Sequence, residues 1–106
     1  MKATIRKGRE GWEARTTIEL DAPHILEIST YKSSRGLVTT ATRMEKTDGG
    51  SSFIMFEDFH SALIQSKERC TEKTITAQHT AALADIEGIK AKCAAWYAAK
   101  ALKEAA

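Results

Sequence analysis

The chain has 106 residues, 42% hydrophobic and 28% charged, with one Pro and six Gly, a composition that suits one compact domain and excludes two domains or a disordered tail. Sixteen Lys and Arg against fourteen Asp and Glu leave a net charge of +2, so the molecule cannot hold nucleic acid by overall charge, and any such face must be local. No apolar run reaches the roughly 20 residues that cross a bilayer, and residues 1–12 lack the apolar centre of a signal peptide, so an intracellular, cytoplasmic protein is expected.

Ala3 and Ile5 alternate with Lys2, Thr4 and Arg6, which predicts an opening strand before a turn at Gly8 and Gly11. Residues 12–21 are the clearest strand: Trp12, Ala14, Thr16, Ile18 and Leu20 share one face, and Glu13, Arg15, Thr17, Glu19 and Asp21 the other. Asp21-Ala22-Pro23-His24 reads as a turn, because Pro fixes its own φ and extends the residue before it. Strands are predicted over residues 25–32 and 37–46, the latter favoured by its Thr-rich middle, with a polar connection over 32–36. A loose loop over 47–52 precedes a short strand over 53–57. Connections this short permit antiparallel hairpins and exclude parallel crossovers, so the sheet of about five strands should be an antiparallel meander filling residues 1–57.

Residues 58–73 allow two readings: a short helix capped by Asp58, with Phe59 and Leu63 on one side, or a sixth strand. From about Thr74 to Glu104 there is no Pro, one Gly and abundant Ala, which predicts one long C-terminal helix over 74–105, roughly 45 Å in length. The fold class is α+β. Two seams run along this helix. Ile75, His79, Ala82, Ile86, Ile89, Cys93, Trp96 and Lys100 alternate in fours and threes and should cover the sheet, with His79 hydrogen-bonded at its edge. Ala81, Ala84, Gly88, Ala91, Ala95, Ala98 and Leu102 lie nearly opposite. Small side chains allow close backbone approach, so this second seam is either a solvated face of good helix formers, a homodimer interface or a dock for a partner helix.

Basic residues gather in the sheet half: residues 1–46 hold nine bases against six acids, and residues 47–106 hold seven against eight. Lys2, Arg6, Lys7, Arg9, Lys32, Arg35, Arg43 and Lys46 lie in or beside the hairpins. Together with exposed hydroxyls and Tyr31 as a stacking ring beside the Lys32 turn, they supply the parts of a surface for single-stranded nucleic acid. Trp12, on the apolar face, is read as core.

A hairpin sheet followed by a dimerising helix resembles the Whirly-type and transcriptional-positive-coactivator single-stranded-DNA-binding proteins. Lys32-Ser33-Ser34-Arg35-Gly36-Leu37 is loosely similar to the Lys-Gly-Lys-Ala-Ala-Leu motif of Whirly proteins, matching at Lys32 and Leu37. The resemblance implies a homo-oligomer that grips single-stranded DNA without strong sequence preference, with Lys32 among its contacts.

An enzyme would need more than the sequence offers. Glu57-Asp58-Phe59-His60 sets carboxylates beside an imidazole, yet no nucleophile motif or phosphate loop accompanies them. His60, Cys70, His79 and Cys93 match no zinc spacing, and the two cysteines are expected as reduced thiols, with Cys93 a small buried apolar group. A non-enzymatic protein without metal or cofactor is the expectation, binding nucleic acid or, as the alternative, serving as a protein-interaction module.

Overall fold

Two-residue turns, each followed by a glycine, set the ends of the sheet. In the computed structural model, which describes residues 3–20, 24–46, 52–54 and 59–105, β1 (Thr4–Gly8) turns through Arg9 and Glu10 into β2 (Gly11–Glu19). β3 (His24–Ser33) likewise turns through Ser34 and Arg35 into β4 (Gly36–Lys46). Gly11 and Gly36 have φ of 117° and 110°, a region closed to most side chains. At Gly36 a Cβ would also stand 2.2 Å from the Ser66 carbonyl oxygen, so the turn leans directly on a later strand.

Each strand from β1 to β4 is antiparallel to its predecessor. β5 (Ser52–Ile54) and β6 (His60–Ser66) both pair with β4, through Met44↔Ile54 and Thr42↔His60 among others. Because β3 occupies the opposite edge of β4 along nearly its whole length, β5 and β6 follow one another on the same edge as one interrupted fifth strand. The antiparallel meander is therefore as the sequence predicts, and the open segment resolves as strand. Unpaired backbone groups on β4 reward pairing more than the helical spacing of Phe59 and Leu63 rewards coiling. Asp58, the residue read as a helix cap, lies outside the described residues.

The C-terminal half departs from the single long helix. α1 (Glu72–Leu83) starts at a capping box, in which the Thr74 amide donates to Thr71 Oγ (3.1 Å) and the Thr71 amide to Thr74 Oγ (3.0 Å). It ends at Ala84, and α2 (Ile86–Ala105) follows. The Asp85 amide closes a tight turn onto the Ala82 carbonyl (3.1 Å). Its carboxylate covers Gly88, where a Cβ would stand 2.5 Å from Oδ1. An acid at that place complements the exposed amides of a new first turn, and so a second helix begins.

The alternation in β2 sorts the sheet into two faces. Trp12, Ala14, Thr16 and Ile18 lie with Leu26, Ile28, Thr30, Leu37, Thr39 and Ala41 on the side the helices cover. Leu26, Ile28, Ala41 and Phe59 pack with Ala82, Ile89 and Cys93, while Ala14 and Leu37 pack with Ile75, bordered by Trp12. Full burial of each Leu or Ile here contributes roughly 1.5–3 kcal/mol. The large-residue seam thus covers the sheet, and Ala81, Ala84, Gly88, Ala91, Ala95, Ala98 and Leu102 are exposed.

Between the two apolar clusters runs a buried polar chain. Gln78 Nε2 donates to Thr39 Oγ and to the Leu37 carbonyl, both at 3.1 Å. Thr39 and Thr30 hydroxyls are 2.8 Å apart, Thr30 Oγ is 2.8 Å from His79 Nδ1, and His79 Nε2 is 2.8 Å from Thr16 Oγ. Ser66 Oγ completes the chain by donating to Gln78 Oε1 (2.7 Å). One ring nitrogen of His79 donates to its threonine and the other accepts, so both are satisfied only in the neutral ring. His79 is accordingly a neutral imidazole, 1% exposed, and burial holds its pKa below the usual 6.5. It sits over the middle of the sheet rather than at the expected edge, because its hydroxyl partners come from the interior strands β2 and β3.

Candidate nucleic-acid interface

The second face of the sheet has no helix over it. In β1–β3 it presents Arg6, Glu13, Arg15, Thr17, Glu27, Ser29 and Tyr31, and in β4 and β6 Thr40, Thr42, Met44 and His60, all set by the same alternation and register. Three open depressions adjoin there. One of about 420 Å³ is bounded by Thr4, Arg6, Arg15, Thr17 and Glu27. One of about 330 Å³ runs over Glu27, Ser29, Thr40 and Thr42 to Tyr31 and His60. One of about 170 Å³ lies between the Arg9–Glu10 turn and Tyr31 with Lys32. Thr40 and Thr42 are buried at its centre although no helix lies above them, and Thr42 Oγ is 2.6 Å from His60 Nδ1.

Charge on this face is largely paired. Arg6 bonds Glu13, and Arg15 stands 3.9 Å from both Glu13 and Glu27. Ser29 Oγ donates to Glu27 Oε1 (2.9 Å). Such exposed pairs contribute little to stability, but they remove most of the attraction of Arg6 and Arg15 for an anion. Arg9 and Lys32 form no ion pair among the described residues and line the same depression as Tyr31, Lys32 from the end of β3 with the parity of Thr30 and opposite Leu37.

Of the residues nominated from sequence, the fold brings Arg6, Arg9, Tyr31 and Lys32 together and disperses the others. Arg43 is on the helix-covered face, opposite Leu26, with its guanidinium 3.9 Å from the centre of the Tyr97 ring. It belongs to the joint between sheet and α2, because residue 43 shares the parity of Leu37, Thr39 and Ala41. Lys7 shares the parity of Ile5 and falls on the opposite side of β1 from Arg6. Arg35 is in the β3–β4 turn, its carbonyl accepting from Gln65 Nε2 (3.0 Å) and Lys67 Nζ (3.2 Å). Lys46 ends β4, eight residues from the partner of Tyr31 and so about 26 Å away. Lys2 lies outside the described residues, as do Glu57 and Asp58.

Arg15, Glu10, Glu27, Ser29, Thr40, Thr42 and His60 line this face and were not nominated. The alternation that splits β2 already placed Arg15 beside Glu13 and Thr17; choosing bases by their clustering in sequence instead of by parity hid it. His60, Cys70, His79 and Cys93 do not converge: both His79 nitrogens serve threonines, and Cys70 Sγ contacts the Trp12 carbonyl at 3.4 Å. Among the described residues no three His, Cys, Asp or Glu side chains gather as metal ligands, and no helix is long and apolar enough to cross a membrane.

Family models, curated proteins and solved structures give no match to this chain. The chemistry of the open face itself is a ring available for stacking, two cations without an ion-pair partner beside it, and a floor of hydroxyls.

Proposed function

We propose that the open sheet face binds single-stranded nucleic acid, with DNA the first candidate, and that Tyr31 stacks a base while Arg9 and Lys32 meet phosphates. The observation that carries this reading is the surroundings of Tyr31. It is 37% exposed, one of two large hydrophobic side chains so exposed among the described residues, and it shares its depression with both of those bases. Aromatic platforms flanked by cations bind single strands with little dependence on sequence, since every base has a stacking face.

The reduced number of bases changes the expected salt response. Two phosphate contacts, at about 0.7 counterion each, predict roughly a sevenfold loss of affinity between about 50 and 200 mM salt. Fluorescence anisotropy with labelled single-stranded and duplex oligonucleotides measures this directly. Binding to the single strand with that salt response supports the reading; no binding at the lower salt overturns it.

The other exposed large hydrophobic side chain is Leu102, at 75%, and it continues the exposed row of Ala91, Ala95 and Ala98 on α2. This favours association through α2, with a second copy of the chain as the occupant. A twofold axis lets one surface serve both copies, and the small residues permit close approach of the helices. Light scattering over a dilution series tests it: a mass of two chains that halves on dilution, or in Ala95→Glu, supports the dimer, whereas a monomer throughout points to the alternative, a module that docks a different protein through this row.

A further inference from the structure

Glu10 is placed where a phosphate-binding groove has least use for a carboxylate. It occupies the β1–β2 turn next to Arg9 and lines both the small depression and the larger one beside it. Tyr31, Lys32 and Glu13 are likewise common to the two depressions, so these four residues form the ridge between them. Glu13 is committed to Arg6 and Arg15. Glu10 has no ion-pair or hydrogen-bond partner among the described residues, although three cations line the same hollow.

An unpaired carboxylate there repels phosphate and lowers the affinity of the cations around it. It has a use if a base, not a phosphate, lies against it. A base stacked on Tyr31 turns its Watson–Crick edge sideways, along the ridge that Glu10 shares. Guanine presents two adjacent donors on that edge, N1–H and the N2 amino group, which match the two oxygens of a carboxylate. Adenine and cytosine each present one amino donor beside an acceptor. Thymine presents one N–H between two carbonyl oxygens, which a carboxylate repels.

We propose that Glu10 reads the donor edge of a guanine stacked on Tyr31, giving the open face a preference for single strands that contain guanine. This rests on the nucleic-acid reading above and narrows its ligand: Tyr31 supplies the platform, Arg9 and Lys32 hold the flanking phosphates, and Glu10 selects the base.

The test compares the anisotropy of an oligothymidine of about eight nucleotides with the same strand carrying one central guanine or one central hypoxanthine. A good bidentate contact predicts about tenfold tighter binding of the guanine strand. Hypoxanthine, which lacks the N2 amino group, falls between the two. In Glu10→Gln the gap between guanine and thymine closes while affinity for the plain oligothymidine rises, because the repelling charge is gone. A purely electrostatic Glu10 would raise all affinities alike and leave the gap unchanged. Equal affinity of the unaltered protein for the guanine and thymine strands, or a gap that survives Glu10→Gln, overturns the proposal while the nucleic-acid reading stands. If no strand binds at low salt, the reading itself falls and this proposal with it.

Discussion

His79 and Thr16 stand 63 residues apart in the chain and 2.8 Å apart in the fold, the imidazole Nε2 hydrogen-bonded to the threonine hydroxyl. The same ring bonds the Thr30 hydroxyl through Nδ1, so α1 is fastened to β2 and β3 by one neutral side chain.

That neutrality sets a pH dependence. Burial lowers the folded-state pKa of His79 below its unfolded value of 6.5, so below that pH the unfolded chain binds a proton that the folded one refuses. Stability is full above pH 6.5, declines as pH falls through it by at most about 1.4 kcal/mol per pH unit, and levels off once the folded imidazole is also protonated. Arg15, beside Thr16, and Glu27, beside Ile28, lie on the opposite face of the sheet and cannot compensate a charge on the ring. Urea denaturation midpoints from pH 8 to pH 5 should show this decline, and His79→Gln should flatten it.

Thr30 is the link whose loss is felt on both sides. Thr30→Val keeps the side-chain shape but leaves His79 Nδ1 and the Thr39 hydroxyl without their Thr30 partner in the interior. An unsatisfied buried polar group costs about 1–3 kcal/mol, and the urea midpoint of Thr30→Val should drop accordingly. Thr17→Val, on the open face of β2, should leave the midpoint within about 0.5 kcal/mol.

Gly36→Ala should destabilise by more than the usual loop substitution. Its φ of 110° disfavours any side chain, and the added carbon would meet the Ser66 carbonyl at 2.2 Å. The turn must shift or β6 must retreat, at a cost of about 1–3 kcal/mol. Amide exchange should quicken first in the Leu37↔Ser66 end of the β4–β6 pairing.

Arg43 and Lys32 should separate stability from binding. Arg43→Ala removes the cation over Tyr97 and should lower the unfolding midpoint by about 0.5–2 kcal/mol, with oligonucleotide affinity unchanged. Lys32→Ala should do the reverse. A loss of affinity in Arg43→Ala equal to that in Lys32→Ala would show that the open face is not where the strand lies.

The meander was legible because its signals are local: period two in β2, glycine after each tight turn, and connections too short for crossovers. The register of charges was legible in β2 as well, which is why the faces of Glu13 and Arg15 agree with the structure. The side that Arg43 takes was obscured by threonines on both faces of the same strand, and its pairing with Leu26 places it with Leu37, Thr39 and Ala41. The break at Asp85 had a local sign, an acid three residues before Gly88, masked by strong helix propensity on either side. The hydroxyl row of Thr16, Thr30 and Thr39 left no sign of its partner, since hydrogen bonds spanning 49 and 63 residues have no periodic signature in the chain.

That long span has a consequence for how the molecule assembles. The hairpins close between near neighbours and can form early, but they set three hydroxyls and one apolar stripe on a face that nothing yet shields. Loops that must close over tens of residues form late, so His79 arrives after the strands it fastens. During synthesis the sheet waits, sticky on one side, until α1 has left the ribosome. The interval between the end of β6 and the docking of α1 is thus when this chain is most exposed to aggregation, and a chaperone that recognises apolar strands would find its substrate there.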